Sequence, residues 1–303
     1  MSNRFATPVA RGLIFVVIAA IAWGTGGVVA AVLHRTTGLG PIAISFWRTL
    51  IGVALLAGLH LLAPAPRTGP FRLGVTIATG VGLAVYQTAY YAAVTASGVA
   101  FATVLTLGSA PVLIALGARL CLGERLTPSG LAAVAVAPLG LCLVAGFPGL
   151  SGPSGSVVGL VLSLVSAGGY AVVTVLHRWL GGVDPARTTL SGFVVAGVCL
   201  APLAAMEGLC PTHGPVLPTL GLLAYLGIFS TAVAYRLFFA SLGSVRATTV
   251  SVLTLTEPLT AAVLAVLLLG EHLTWTMAAG TLLLLGSVVL LAHAETRMVP
   301  APA

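Results

Sequence analysis

The sequence predicts an all-α integral membrane protein with ten transmembrane helices, and three observations support this. Apolar residues make up 58% of the 303 residues, charged residues make up 6%, and the mean hydropathy is +1.13, which is unlike soluble globular proteins. The apolar stretches are close to the roughly 20 residues that a bilayer core requires. Rich in Leu, Ala, Val and Gly, they lack the apolar/polar alternation of a barrel wall.

Ten spans result when the apolar stretches are divided at their Pro, Gly and Arg residues. In chain order they cover residues 12–33, 41–62, 73–93, 100–120, 129–147, 156–177, 187–206, 217–239, 247–269 and 275–293. The first follows Arg4 and Arg11 and is longer than the core of a signal peptide, so we expect it to be retained. The fourth and ninth spans contain Pro111 and Pro258, where we expect kinks or hinges.

The arginines predict the orientation of the spans. All 13 basic residues are Arg, against six acidic residues, and the formal net charge is +7. With a cytoplasmic amino terminus, ten arginines lie on or near the cytoplasmic side and only Arg35 lies opposite. This bias predicts that both termini are cytoplasmic. The charges are spread over short connectors, which argues against a nucleic-acid partner.

The sequence repeats itself at an offset of 147 residues. Nine of seventeen positions are identical between PVLIALGARLCLGERLT at 111–127 and PLTAAVLAVLLLGEHLT at 258–274. This predicts two five-helix repeats, residues 1–147 and 148–303. Because five is odd, the second repeat enters the membrane from the other side, and the halves are related by a pseudo-two-fold axis in the membrane plane. Inverted repeats of this kind are typical of secondary transporters that work by alternating access.

Several motifs resemble a known family. Pro41, Phe46, Trp47 and Arg48, the repeated Pro…Gly-Glu-x-Leu-Thr frame and the ten-span layout look like the EamA-type drug/metabolite transporter superfamily, over about residues 12–293. Within it the chain looks most like YddG-type exporters of aromatic amino acids. The resemblance implies amino-acid export through a central cavity in a bacterial-type inner (plasma) membrane. The second half has no counterpart of the Trp-Arg pair, so no duplicated role is expected for Arg48.

Aromatic residues concentrate in the third and eighth spans. Tyr86 with Tyr90, and Tyr235 with Phe239, are four residues apart and share a helix face. They are expected to line a substrate cavity, with core packing as the competing interpretation, whereas Tyr91 is assigned to an interfacial aromatic belt. The full expected lining comprises Trp23, Tyr86, Gln87, Tyr90, Thr106, Ser109, Ser163, Tyr170, Tyr235, Phe239, Thr254 and Glu257.

Hydroxyl groups precede the prolines of the fourth and ninth spans. Thr103, Thr106 and Ser109 in the fourth span correspond to Thr254 and Thr256 in the ninth. These hydroxyls either face the cavity or bond back to their own helices.

Apart from Arg119 and Arg187 at span ends, three charged residues lie within the apolar spans. Glu257 lies about ten residues into the ninth span, where an ionised carboxylate needs a partner or water. It is expected to bind a substrate ammonium group or carry a proton, or else to form an ion pair with Arg48 or Arg236. Arg48 can hold a substrate carboxylate or contact helix-end carbonyls. Arg236 can extend to the inner interface.

The two Gly-Glu-x-Leu-Thr segments are expected to be hinge-and-cap elements. Gly123 is suited to end a helix in the left-handed conformation, and Thr127 with the following proline is suited to begin the next one. The same roles are expected for residues 270–274. A gating or coupling role for Glu124 and Glu271 is the alternative.

The expected lining suits a zwitterion with an apolar side chain or a flat organic cation. Export of organic cations, drugs or nucleosides is therefore the alternative function. A phosphorylated-metabolite antiporter would need several deep basic groups to hold the phosphate. The spans do not offer them, which argues against this alternative. An enzyme is not expected, because the sequence has no HExxH motif, no GxSxG motif and no paired intramembrane acids. The expected partners are a small-molecule substrate and the lipid bilayer, with no cofactor, metal or nucleic acid, and the chain is expected to be a monomer.

Overall fold

The computed structural model describes residues 8–62, 73–97, 99–124, 128–144, 157–180, 185–269 and 275–297. Within these ranges every regular element is helical and none is a strand. The elements are α1 (Pro8–Thr37), α2 (Pro41–Leu62), α3 (Leu73–Ser97), α4 (Val99–Leu122), α5 (Pro128–Val144), α6 (Val157–Leu180), α7 (Pro185–Glu207), α8 (Val216–Gly227), a π-helical turn (Ile228–Val233), α9 (Ala234–Ser241), α10 (Ala247–Leu253), α11 (Thr256–Leu269) and α12 (Trp275–Arg297). The predicted all-helical class is confirmed.

Six helical stretches in this part of the chain are long and apolar enough to cross a membrane. They are Pro8–Thr37, Pro41–Leu62, Ala102–Leu122, Val157–Leu180, Arg187–Glu207 and Val216–Ser241. Two shorter apolar helices, Gly130–Leu143 and Ala279–Leu290, accompany them. Helices occupy all ten predicted spans, but the count of ten membrane crossings stays a prediction.

The eighth predicted span, 217–239, is interrupted by the π-helical turn between α8 and α9. The hydroxyl of Thr231 donates to the carbonyl of Leu226, five residues back, at 2.9 Å. The hydroxyl of Ser230 donates to the carbonyl of Ala22 on α1 at 2.7 Å. The turn widens the helix locally, and π-bulges of this kind often occur at functional sites. The Ser230 hydrogen bond joins the turn to α1.

The ninth predicted span, 247–269, is a discontinuous helix. α10 ends at Leu253 and α11 begins at Thr256. Pro258 lies in the first turn of α11, where the missing N–H needs no intrahelical partner. Pro111, in contrast, lies inside the uninterrupted α4. The break places Glu257 in the first turn of α11, where the helix dipole favours a negative charge.

Close helix packing joins the two halves of the chain. A Cβ atom on Gly169 of α6 would lie 2.9 Å from the carbonyl oxygen of Gly82 and 3.0 Å from the amide nitrogen of Tyr86, both on α3. A Cβ atom on Gly140 of α5 would lie 3.0 Å from the carbonyl oxygen of Gly280 on α12. Small residues at such crossings are typical of membrane bundles, where apolar lipid gives no hydrophobic drive between helices.

An ion pair links α4, α6 and α9 at one end of the bundle. Gly123 ends α4 with φ of +66°, which confirms the left-handed conformation expected of it. Arg178 Nε donates to Glu124 Oε1 at 2.9 Å, and Arg178 Nη1 donates to the carbonyl of Leu242 at 3.1 Å. Thr127 and residues 270–274, for which similar roles were expected, lie outside the described residues.

Candidate functional site

A cavity of about 160 Å³ lies between helices of both halves. Pockets for drug-sized ligands usually measure roughly 300–1,000 Å³, so this cavity favours a smaller molecule. Its walls come from α1, α2, α3, α4, α6, α9 and the α10–α11 break. The lining residues are Trp23, Gly26, Gly27, Ala30, Arg48, Tyr86, Gln87, Tyr90, Tyr91, Thr103, Leu107, Tyr170, Tyr235, Thr254 and Glu257.

Four aromatic rings from four helices form one wall of the cavity. The ring centroids of Trp23 and Tyr235 lie 4.8 Å apart, and those of Tyr86 and Tyr170 lie 5.4 Å apart. Phe238 packs beneath this wall, 5.4 Å from Trp23 and 5.9 Å from Tyr170. Tilted and offset arrangements at these distances are favourable for aromatic pairs. The wall offers a rigid apolar surface to a flat or apolar group.

The cavity is closed at one end of the bundle. Its lining residues lie in the second half of α1 and in the first part of α4. Toward the other ends of these two helices, Leu13 of α1 and Ile114 of α4 are buried with Phe238 and Leu242 in one apolar cluster. The Arg178 ion pair lies at this same closed end, because it holds the carbonyl of Leu242.

Glu257 and Arg48 both line the cavity without pairing with each other. In the described part of the chain, the ion pair in direct contact joins Arg178 and Glu124 instead. The cavity therefore presents one anionic and one cationic group, each with capacity left for a ligand.

Three N–H donors of the lining are buried without an acceptor. Among the described residues, six buried side-chain polar atoms lack a hydrogen-bond partner, and three of them are Trp23 Nε1, Arg48 Nε and Gln87 Nε2. All three residues line the cavity. Buried polar atoms are normally paired, so this concentration of unpaired donors distinguishes the cavity from the rest of the structure.

Hydroxyl pairs fix the tyrosines of the cavity. The Tyr90 hydroxyl and Thr103 Oγ1 lie 2.7 Å apart, and the Tyr170 hydroxyl donates to Thr254 Oγ1 at 3.4 Å. Each pair joins different helices, α3 to α4 and α6 to the α10–α11 break. These contacts orient the rings that line the cavity.

Three expected hydroxyl residues lie outside the lining. Thr106 Oγ1 donates to the carbonyl of Ser163 at 3.3 Å, which joins α4 to α6. Ser109 Oγ donates to the carbonyl of Leu105 in its own helix at 2.5 Å. Ser163 Oγ is buried without a partner in the described part of the chain. The helix-bonding alternative describes Ser109, and Thr106 bonds between helices.

Two further expected residues also lie outside the lining. Phe239 stacks on His177 with ring centroids 4.0 Å apart, within the core beside the cavity. Although four residues from Tyr235, Phe239 is not part of the lining, and its ring packs against Tyr235 and Phe238 at centroid distances of 6.0 and 5.4 Å. Arg236 is exposed on α9, in keeping with the interfacial alternative.

Sequence reasoning missed five lining residues: Gly26, Gly27, Ala30, Tyr91 and Leu107. The three small residues give α1 a flat face beside the cavity, and small residues alone carry no signal for it. Tyr91 was assigned to the interfacial belt, but Ser45 Oγ donates to its hydroxyl at 3.2 Å. Thr103, one of the hydroxyl residues expected either to face the cavity or to bond to its own helix, lies in the lining.

The family model and the curated relatives that match this chain are those of transporters. The model of the EamA-like transporter family matches residues 10–146 and 157–292. The uncharacterized transporter YwfM of Bacillus subtilis is 29% identical over 91% of this chain and 92% of that protein. The uncharacterized inner membrane transporter YicL of Salmonella typhimurium is 27% identical over 93% and 95%. A solved crystal structure with 20% identity shares the fold, with a TM-score of 0.80 over 95% of this chain and 99% of that one.

Proposed function

Since the chain belongs to the EamA-like transporter family, we propose that it exports small zwitterionic metabolites, above all amino acids with aromatic or other neutral side chains. The family and the similar proteins are membrane transporters, not enzymes. The resemblance to YddG-type exporters supports the export direction and aromatic cargo. The chemistry of the cavity independently supports a zwitterion.

The observation that carries this proposal is the pair of opposite charges, Glu257 and Arg48, which share one cavity without an ion pair between them. A carboxylate binds an ammonium group, and a guanidinium binds a carboxylate in a bidentate geometry. The rings of Trp23, Tyr86 and Tyr170 offer an apolar surface to the side chain. A neutral amino acid satisfies all three features, and the modest cavity volume favours a molecule of that size.

We propose ten membrane crossings, arranged as two inverted five-helix repeats of residues 1–147 and 148–303, with both termini in the cytoplasm. The two family matches, one in each half, support this arrangement, as does the Arg bias of the connectors. The discontinuous ninth span is typical of transporter sites built where helices break. The location is a bacterial inner membrane, as it is for the similar inner membrane transporter YicL.

In this orientation the cavity faces the outside, and its closed end faces the cytoplasm. Transport then requires the apolar cluster around Phe238 and Leu242 to separate while the outer side closes over the substrate. The Arg178–Glu124 pair joins first-half α4 to second-half α6 at the cytoplasmic end. Rocking of one half against the other breaks this contact in the inward-facing state.

The test is uptake of radiolabelled L-phenylalanine into liposomes carrying the purified protein, with empty liposomes as background. Uptake above background is expected, and Glu257→Gln is expected to reduce it about tenfold or more, since it removes the charge that holds the ammonium group. Glu207→Gln is the matched control. The Glu207 carboxylate accepts a bond from the amide of Ala43 away from the cavity, at 2.6 Å, and glutamine keeps an acceptor there.

A pH gradient imposed in the same assay separates two mechanisms. Uptake unchanged by the gradient indicates a facilitator. Gradient-dependent uptake whose remainder in Glu257→Gln no longer responds to the gradient indicates that Glu257 carries a proton. Absence of uptake of phenylalanine, threonine and glutamate alike contradicts the amino-acid proposal. The alternative cargo, organic cations, drugs or nucleosides, is then tested with the same liposomes.

A further inference from the structure

We propose that Trp23, Arg48 and Gln87 form a carboxylate-binding subsite that makes a carboxylate group the primary requirement for a ligand of this cavity. This inference deepens the proposed function, because it specifies which group of the zwitterion the protein selects. The three residues come from α1, α2 and α3. Each lines the cavity and carries a buried N–H that has no acceptor among the described residues.

The orientation of Gln87 follows from its contact with Arg48. Arg48 Nη2 donates to Gln87 Oε1 at 3.4 Å. A guanidinium can only donate, so Gln87 must turn its oxygen toward Arg48 and its NH₂ group away. Gln87 is 3% exposed, and its Nε2 has no acceptor among the described residues. Arg48 thereby fixes Gln87 as a donor toward a ligand.

The indole of Trp23 is held in place by its neighbours. Its ring packs against Tyr235 and Phe238, with centroids 4.8 and 5.4 Å away. The indole nitrogen is a donor only, and it is buried without an acceptor in the described part of the chain. A fixed ring with an unused donor contributes both an apolar surface and a directed hydrogen bond.

The three unpaired atoms are all donors, and this defines the chemistry of the ligand group. A buried donor without an acceptor is costly, and only a group with several lone pairs can satisfy three donors together. A carboxylate has about four acceptor positions, and its charge complements Arg48. An amine has no acceptor to offer once it is protonated. The subsite therefore selects for acids and zwitterions and against simple organic cations.

The test measures binding of three matched compounds to the purified protein by calorimetry. L-phenylalanine carries both charged groups, 3-phenylpropionate lacks the ammonium group, and phenethylamine lacks the carboxylate. Both carboxylates are expected to bind more tightly than phenethylamine. Trp23→Phe and Gln87→Glu are each expected to weaken the binding of L-phenylalanine and of 3-phenylpropionate about tenfold or more. The affinity for phenethylamine is not expected to fall.

A matched control and a second variant guard against general disruption. Trp47→Phe makes the same substitution at an indole whose N–H already donates to the carbonyl of Leu209 at 2.8 Å, outside the cavity lining. It is expected to leave all three affinities unchanged. If Gln87→Glu fails to fold, Gln87→Met removes the donor without adding a charge.

The outcomes separate this inference from the proposed function. Phenethylamine that binds as tightly as 3-phenylpropionate, or carboxylate affinities unchanged in both cavity variants, overturns the subsite while phenylalanine uptake still supports amino-acid transport. Failure of both carboxylates to bind also overturns it. Binding of 3-phenylpropionate that the variants weaken, without phenylalanine uptake, supports the subsite and contradicts the amino-acid proposal.

Discussion

Adjacent glycines on α6 give a controlled test of how the two halves pack. A Cβ atom on Gly169 would lie 2.9 Å from the carbonyl oxygen of Gly82 and 3.0 Å from the amide nitrogen of Tyr86, both backbone atoms of α3. A Cβ atom on Gly168 meets nothing within 4 Å. Gly169→Ala therefore forces α6 away from α3, whereas Gly168→Ala makes the same chemical change into open space.

The expected difference in unfolding free energy between the two variants follows from two opposing effects. Replacing Gly by Ala in a helix stabilises it by about 0.5–1 kcal/mol, and this gain applies to both variants. Overpacking a close contact costs about 1–3 kcal/mol, and this loss applies only to Gly169→Ala. The two variants are therefore expected to differ by about 1–3 kcal/mol, or on the order of 5 °C in Tm.

Thermal unfolding of the two variants in the same detergent measures this difference. Gly168→Ala is expected to match or exceed the wild-type Tm, and Gly169→Ala to fall below it. Phenylalanine uptake is expected to fall with Gly169→Ala as well, because the contact bears on the backbone of Tyr86, which lines the cavity. A Gly169→Ala variant as stable as Gly168→Ala would refute the close packing of α3 on α6.

Three further predictions concern other parts of the molecule. Cys210 is exposed between α7 and α8, so a membrane-impermeant maleimide should label it in intact cells. Labelling that survives Cys210→Ser, or that appears only after lysis, contradicts the orientation with both termini in the cytoplasm. Arg178→Gln and Glu124→Gln should each lower Tm. The double variant should lower Tm by less than the sum of the two single losses, because the two residues share one ion pair. Additive losses in Tm would count against the ion pair. Tyr90→Phe and Thr103→Val should each cost about 1 kcal/mol of unfolding free energy, since each removes the same hydroxyl bond, and unchanged denaturant midpoints would show that the bond contributes nothing.

Local sequence patterns were sufficient to locate the helices and several candidate site residues. Length and hydropathy placed helices in all ten predicted spans, because a chain in lipid must satisfy its backbone hydrogen bonds internally. Isolated polarity within an apolar span identified Glu257 and Arg48, and i, i+4 spacing identified Tyr86 with Tyr90, all of which line the cavity. A charge within an apolar span and a shared helix face can both be recognised from the sequence of a single helix.

The tertiary structure alone decided which polar groups were used elsewhere and which were left for a ligand. Thr106 bonds to Ser163 across helices and Phe239 stacks on His177, although their spacing resembles that of the lining residues. The unpaired donors of Trp23, Arg48 and Gln87 lie on three separate helices, so no single segment shows them together. The sequence thus determined which segments are helical and where charge enters them, since both depend on local composition. The pairing of donors and acceptors depends on contacts between distant segments, so it was decided by the fold.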